Sequence, residues 1–343
     1  WHIKHREYDD MSYELFQLLE NIELNKDENE IFQVVKNRIY IDLSAYLSHV
    51  YDFIILSSKN VKPVYSSYSN IYIDSIWNKR PLSNTFSINL EKNRYKKNIL
   101  KNFYSIATNI VPNYFFKFLI SSGNQLVTEF KKNIKYKYLR VLPLYNFSIN
   151  LSKSNFSKNL SEKISTIIFL WIEKKYFKLS LDHKISIHFI IEVLLSRVTN
   201  DINNYNGFLD NSKNIITGTG NGYYNRLIST LAKKNGTKVW RFNHGGDRCF
   251  FNDDFFWNAE YFQTDTYVTY GKKWGQFSRK RAKMLNKDIN IIEQGSDYHK
   301  KIFNRYFEKK KNKLKKILYV QTAFVSEARQ FPYSAIIDPV MYD

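Results

Sequence analysis

The sequence predicts an α/β protein, with a parallel sheet flanked by helices in its second half and a mostly helical region before it. Three observations predict this. Past residue 210, short apolar runs alternate with helical stretches of roughly 10 to 15 residues, the pattern of strand–helix–strand units. Two of these apolar runs lead directly into glycine-bearing loops, as strands of such sheets do at their carboxyl ends. Before residue 210, apolar residues recur mainly at helical spacing.

The elements follow in order. Tyr13 to Ile22 and Asp42 to Leu56 carry helical periodicity, with Asp42 in an N-cap position. Residues 60–90 hold Pro63 and Pro81 among Ser and Asn and read as loop with short strands. Residues 92–135 read as helix, and Tyr138 to Leu144 as a strand. Residues 145–163 read as an Asn/Ser-rich loop that includes the Asn-x-Ser triplets at Asn146, Asn150, Asn155 and Asn159. Ser165 to Phe177 and Ile185 to Asn204 read as helices. Asn214 to Thr217 is a short strand. The helix Tyr223 to Lys234 follows, with Leu227 and Leu231 on one face and Asn235-Gly236 as its stop. Lys238 to Phe242 is the next strand, and Arg248 to Thr264 a loop. Thr266 to Tyr270 (strand), Trp274 to Leu285 (basic helix) and Ile289 to Gln294 (strand) complete the repeating pattern.

This order implies an N-terminal domain over 1–300, helical to about residue 205 and sheet-forming from about 210. Residues 301–316, with Lys309-Lys310-Lys311 and Lys315-Lys316, read as a basic linker. Ile317 to Gln321 opens a second α/β domain that stops at residue 343, so the natural protein is expected to be longer.

Lys and Arg number 52 against 32 Asp and Glu, a net charge of +20. Such a charge either serves acidic partners (nucleic acid, an anionic membrane surface or phosphate-bearing substrates) or reflects a Lys- and Asn-rich compositional bias along the whole chain. Its lysines are spread from end to end and match no nucleic-acid-binding module, so specific nucleic-acid recognition is not expected. Cys249 is the only cysteine, which excludes an internal disulfide and a cysteine-based zinc cluster and suits a reducing compartment. Trp1 to Asp10 is polar, unlike a signal peptide. The apolar stretches at Ile167 to Ile172 and Ile185 to Leu195 are too short to span a bilayer. A cytoplasmic protein, with peripheral contact to the anionic inner face of the plasma membrane, is the expectation.

The candidate site is read from the loops after two neighbouring strands. Gly218, Gly220, Asn221 and Gly222 precede a helix, where backbone N–H groups and the helix dipole favour an anion. A tight strand-to-helix turn would need the same glycines. His244, Gly245, Gly246 and Asp247 follow the next strand, and the glycines let a ligand approach the imidazole. His244 or Asp247 could serve as general base; a structural histidine and a turn residue are the alternatives. Between Phe250 and Phe262 lies an aromatic run that either covers a ligand or packs on the sheet. Glu327 and Arg329 follow the strand at 317–321, with Arg329 suited to phosphate and Glu327 to a hydroxyl; an exposed surface pair is the alternative.

The helix before Gly236-Thr-Lys-Val-Trp240, the loop His244-Gly245-Gly246, the spaced Asp265, Tyr267 and Gly271, and the strand Ile317-Leu-Tyr-Val320 together resemble bacterial surface-polysaccharide transferases. The likeness is to O-antigen and capsule transferases with a His-Gly-Gly loop, and more distantly to capsule Kdo transferases and CDP-glycerol glycerophosphotransferases. It covers roughly residues 210–335. The resemblance implies the GT-B architecture, two Rossmann-like domains across a cleft, with the second domain truncated here. It implies a glycosyltransferase that uses no metal or organic cofactor and takes a nucleotide-sugar donor and a glycan or lipid-linked acceptor. His244, Gly245 and Gly246 would then line the cleft, and Glu327 and Arg329 would stand at the first loop of the donor domain. A basic nucleic-acid-binding protein and a non-catalytic glycan-binding scaffold are the competing classes.

Overall fold

The computed structural model describes residues 5–60, 118–121, 125–133, 139–141, 154–205, 209, 212–218, 220, 222–243 and 254–308. In chain order the elements are α1 (His5–Glu20), α2 (Lys26–Ser58), β1 (Phe118–Ile120), α3 (Gln125–Asn133), β2 (Leu139–Val141), α4 (Asn155–Lys175), α5 (Leu181–Tyr205), β3 (Asn214–Thr217), α6 (Tyr223–Lys234), β4 (Lys238–Phe242), α7 (Asp254–Glu260), β5 (Thr266–Thr269), α8 (Lys272–Met284), β6 (Asn290–Glu293) and α9 (Asp297–Glu308). They divide into two compact units, one of helices and one built on a sheet.

In the helical unit, α2 starts at Lys26, well before the expected Asp42. The start signal is Asn25, whose side chain accepts from the Glu28 amide at 2.9 Å while Glu28 accepts from the Asn25 amide at 3.0 Å. This reciprocal cap satisfies two of the donors that a helix start leaves open. Asp42 instead lies inside α2, 2.7 Å from Arg38 one turn earlier. α2 is also the one described helix long and apolar enough to cross a membrane by length and composition, with 56% of that window buried inside the protein. Lys36, on its buried side, pairs with Glu20 of α1 at 2.6 Å.

α4 likewise begins earlier than expected, at Asn155, within what reads as an Asn/Ser loop. Ser154 caps it through the Ser157 amide. Ser157, Ser161 and Ser165 are buried along one face. Their hydroxyls are satisfied locally or across a close helix contact: Ser161 donates to the Lys158 carbonyl at 2.8 Å, and Ser157 meets Ser196 of α5 at 3.2 Å. Composition suggested a loop here; close helix packing, which small side chains permit, decided for helix.

The second unit carries a six-stranded, all-parallel sheet in the order β2-β1-β3-β4-β5-β6. The α/β expectation for the second half therefore holds, and strands β3 to β6 fall where the sequence places them. Two strands from before residue 210 also join the sheet. β2 was expected; β1, only three residues long, lies inside a stretch that reads as helix. Its Phe118, Leu119 and Ile120 are all buried, a continuous apolar run typical of a strand covered on both faces.

Alternate side chains divide between two faces. Phe118, Ile120, Ile216, Phe242 and Val268 pack under Leu126 and Val127 of α3. On the opposite face Tyr267 packs with Trp257 and Tyr261 near α7 and with Ala282 of α8. α6 lies on that same face, since Arg241 of β4 reaches its Ser229. α6 ends as predicted: Gly236 adopts a left-handed φ of 70°, and the Thr237 amide reaches back to the Ala232 carbonyl at 2.8 Å. The expected loop over 248–264 contains α7, and the expected linker over 301–316 overlaps α9. Residues 61–117 and 309–343, including the expected strand at 317–321, lie outside the described residues.

Candidate functional site

All six strands are parallel, so their carboxyl ends share one edge. From β1 the chain proceeds to β2 on one side; from β3 it proceeds through β4, β5 and β6 on the other. The helices that follow diverge as well, α3 to one face and α6 to the other. Between β1 and β3 the winding reverses, and this is where a doubly wound sheet opens a crevice for ligands.

The glycine loop rises from β3 at this reversal. Ser121, next to it at the end of β1, is tied to β3 by its amide and hydroxyl, which donate to the Ile216 carbonyl at 2.9 and 3.1 Å. Gly218 and Gly220 are buried, and Gly222 caps α6 with no side-chain hydrogen bond to the helix N–H groups. A Cβ on Gly220 would overlap the Ala259 carbonyl and the Arg241 guanidinium. Part of the glycine requirement here is therefore packing, a constraint distinct from the tight turn that the sequence offered. The α6 N-terminus lies on the same edge with no side-chain cap, leaving its first N–H groups to other acceptors.

Beneath the loop lies a buried polar layer that the sequence reading missed. Thr217, Arg241 and Tyr267 stand in register on β3, β4 and β5. The Arg241 guanidinium, fully buried, donates to Ser229 Oγ at 3.0 Å, the Phe262 carbonyl at 3.1 Å and the Ala259 carbonyl at 3.3 Å. Burial lowers its pKa to about 10, while the Glu260 carboxylate works in the opposite direction, so it stays charged at neutral pH. Arg226, in the first turn of α6, donates to the Gly220 carbonyl at 3.3 Å and lies 3.7 Å over the Phe262 ring. Two guanidiniums thus brace the glycine loop from below. Arg241 was visible in the sequence as a charge inside an apolar strand; its role depends on α7, an element the sequence reading lacked.

β4 delivers the second loop to the same edge. Its last residue, Phe242, is followed by buried Asn243, whose amide donates to the Val268 carbonyl at 2.8 Å. His244, Gly245, Gly246 and Asp247 come next and lie outside the described residues, as do Thr219, Asn221, Cys249, Glu327 and Arg329. Of the aromatic run, Trp257, Tyr261 and Phe262 are buried against the sheet. The Tyr261 hydroxyl donates to the Ser278 carbonyl at 2.8 Å, and burial raises its pKa well above the usual tyrosine range. This part packs rather than covers a ligand.

Further along the edge, β6 leads through Gly295 to Ser296, the first turn of α9 and a contact with α3. Ser296 Oγ donates to Glu129 at 2.8 Å, and the other oxygen of Glu129 accepts from the Asp297 amide at 2.7 Å. Against known proteins, no family model, no curated protein and no solved structure matches the chain.

Proposed function

We propose that this chain is a glycosyltransferase of surface-polysaccharide assembly, moving a sugar or sugar-like unit from a nucleotide-activated donor to a glycan acceptor. One observation carries the reading. The glycine loop and the stem of the His-Gly-Gly loop leave adjacent parallel strands at one edge, the first of them at the point where the sheet's winding reverses. The likeness of residues 210–335 to GT-B transferases supplies the reaction class. In this reading His244 or Asp247 takes the proton of an acceptor hydroxyl. The freed oxygen attacks the anomeric carbon, and the bond from that carbon to the nucleotide phosphate breaks. Helix N-termini and basic side chains hold the departing phosphate charge.

The test is His244→Ala in the full-length protein, with transfer rate and melting temperature measured together across a panel of nucleotide sugars. Loss of a general base lowers the rate by roughly 10²- to 10⁴-fold with folding nearly intact. Undiminished transfer refutes the role of His244. Absence of transfer by the wild type from every donor argues for the non-catalytic, glycan-binding alternative.

A further inference from the structure

We infer that α9 is a docking surface for an anionic phospholipid bilayer. The proposal does not depend on the transferase reading.

Every residue from Asp297 to Arg305 is exposed, including Tyr298 (51%), Ile302 (47%) and Phe303 (58%). Three large apolar side chains within six residues are unusual on a water-facing helix. At 100° per residue, Tyr298, Ile302, His299 and Phe303 span an arc of about 140° on the helix. Lys301 and Arg305 border that arc on one side, and Lys300 borders it on the other. The first turn is anchored to the sheet unit: Glu129 caps it, and the His299 ring meets Tyr270 at 5.5 Å. The next turn presents Ile302 and Phe303 outward.

An apolar arc bordered by basic residues is the arrangement of helices that lie in a membrane interface. The apolar side chains enter the boundary between headgroups and acyl chains, while the lysines stay level with anionic headgroups. The sequence continues the charge: residues 297–316 hold nine Lys or Arg against two Asp or Glu. Diffuse charge would serve nucleic acid equally well. Ile302 decides between them, because an aliphatic side chain has no π-face to stack on a base, whereas acyl chains accept it.

The experiment is flotation of the full-length chain with vesicles of phosphatidylcholine alone or mixed with phosphatidylglycerol. The wild type should float with the anionic vesicles only. Ile302→Ser with Phe303→Ser leaves the charge unchanged and should lower partitioning roughly tenfold or more. Lys300→Gln with Lys301→Gln should lower it roughly tenfold to thirtyfold. Lys280→Gln with Lys283→Gln, the same charge removed from exposed positions on α8, should have a much smaller effect. No flotation of the wild type overturns the proposal. So does equal loss from the α8 and α9 charge variants, which would mean diffuse attraction, or unchanged flotation of the serine variant. Two further results also overturn it: a concentration-dependent dimer that the serine variant loses, and a melting temperature that falls by several degrees in that variant. The first would place a second copy on the face, the second another part of this chain.

Discussion

Gly220 lies directly against the Arg241 guanidinium, with no room between them for a β-carbon. A strand-end glycine and a buried strand arginine are thus fitted to each other, and the Ala259 backbone closes the same space. Gly220→Ala forces that backbone or the loop to move, and overpacking of this kind costs about 1–3 kcal/mol. Urea unfolding should show a loss in this range; a midpoint equal to that of the wild type would contradict the packing.

Arg241→Met keeps an unbranched stem but removes three donated hydrogen bonds and the positive charge near buried Glu260. Breaking one side of a buried charged arrangement typically costs about 3–5 kcal/mol. Loss of that size is expected, together with faster amide exchange in α6 and α7. A change below about 1 kcal/mol would mean that the guanidinium contributes little beyond its volume.

Glu129→Gln weakens the cap of α9, because a neutral amide replaces a carboxylate that accepts from both Asp297 N and Ser296 Oγ. The expected destabilisation is about 1 kcal/mol, in the range of lost N-caps. Amide exchange at Asp297 to Lys301 should accelerate while β3 and β4 stay protected. Equal acceleration throughout the sheet would show that Glu129 supports more than the helix start.

The helical unit carries a pH response. Among the described residues His183 Nδ1 is buried with no hydrogen-bond partner, and the ring packs edge-on to Tyr46, centroids 6.4 Å apart. Burial lowers its pKa below the usual 6.5, and the nearby Asp182 charge only partly opposes this. The unfolded chain therefore binds a proton at His183 more readily than the folded one. Stability from this residue is full above about pH 6.5 and declines as pH falls from there to the lowered folded value. His183→Phe should flatten that part of the stability–pH curve. An unchanged slope between pH 5 and 7 would assign the response to other groups.

Much of this was legible in the sequence. β3, α6, β4, β5, α8 and β6 could be placed because their apolar runs are bounded by glycines and their helices carry clear periodicity. Gly236 ended α6 where its left-handed φ was needed. β1 was not legible, since three apolar residues between helical stretches carry no period of their own. The start of α4 was hidden because Ser and Asn read as loop by propensity, whereas Ser157 and Ser161 are selected by close helix contact. For the site, the glycines could be found and the arginines beneath them could not. Arg226 and Arg241 acquire their roles from Phe262, Ala259 and Ser229, partners that only the folded chain brings together.

The strand order also sets the history of the site. β3 to β6 pair with neighbours only 24 to 26 residues away along the chain, as in Ile215 with Val239 and Trp240 with Thr266. Leu119 of β1 instead meets Ile215 of β3 across 96 residues, a span that contains all of α4 and α5. Closing a loop about four times longer costs roughly 1.2 kcal/mol more in chain entropy, before any helix has formed within it. The four consecutive strands are therefore expected to assemble first, with the β1–β3 seam joining after them. That seam lies beside the glycine loop, so a refolding chain would acquire its candidate ligand site among its last native contacts.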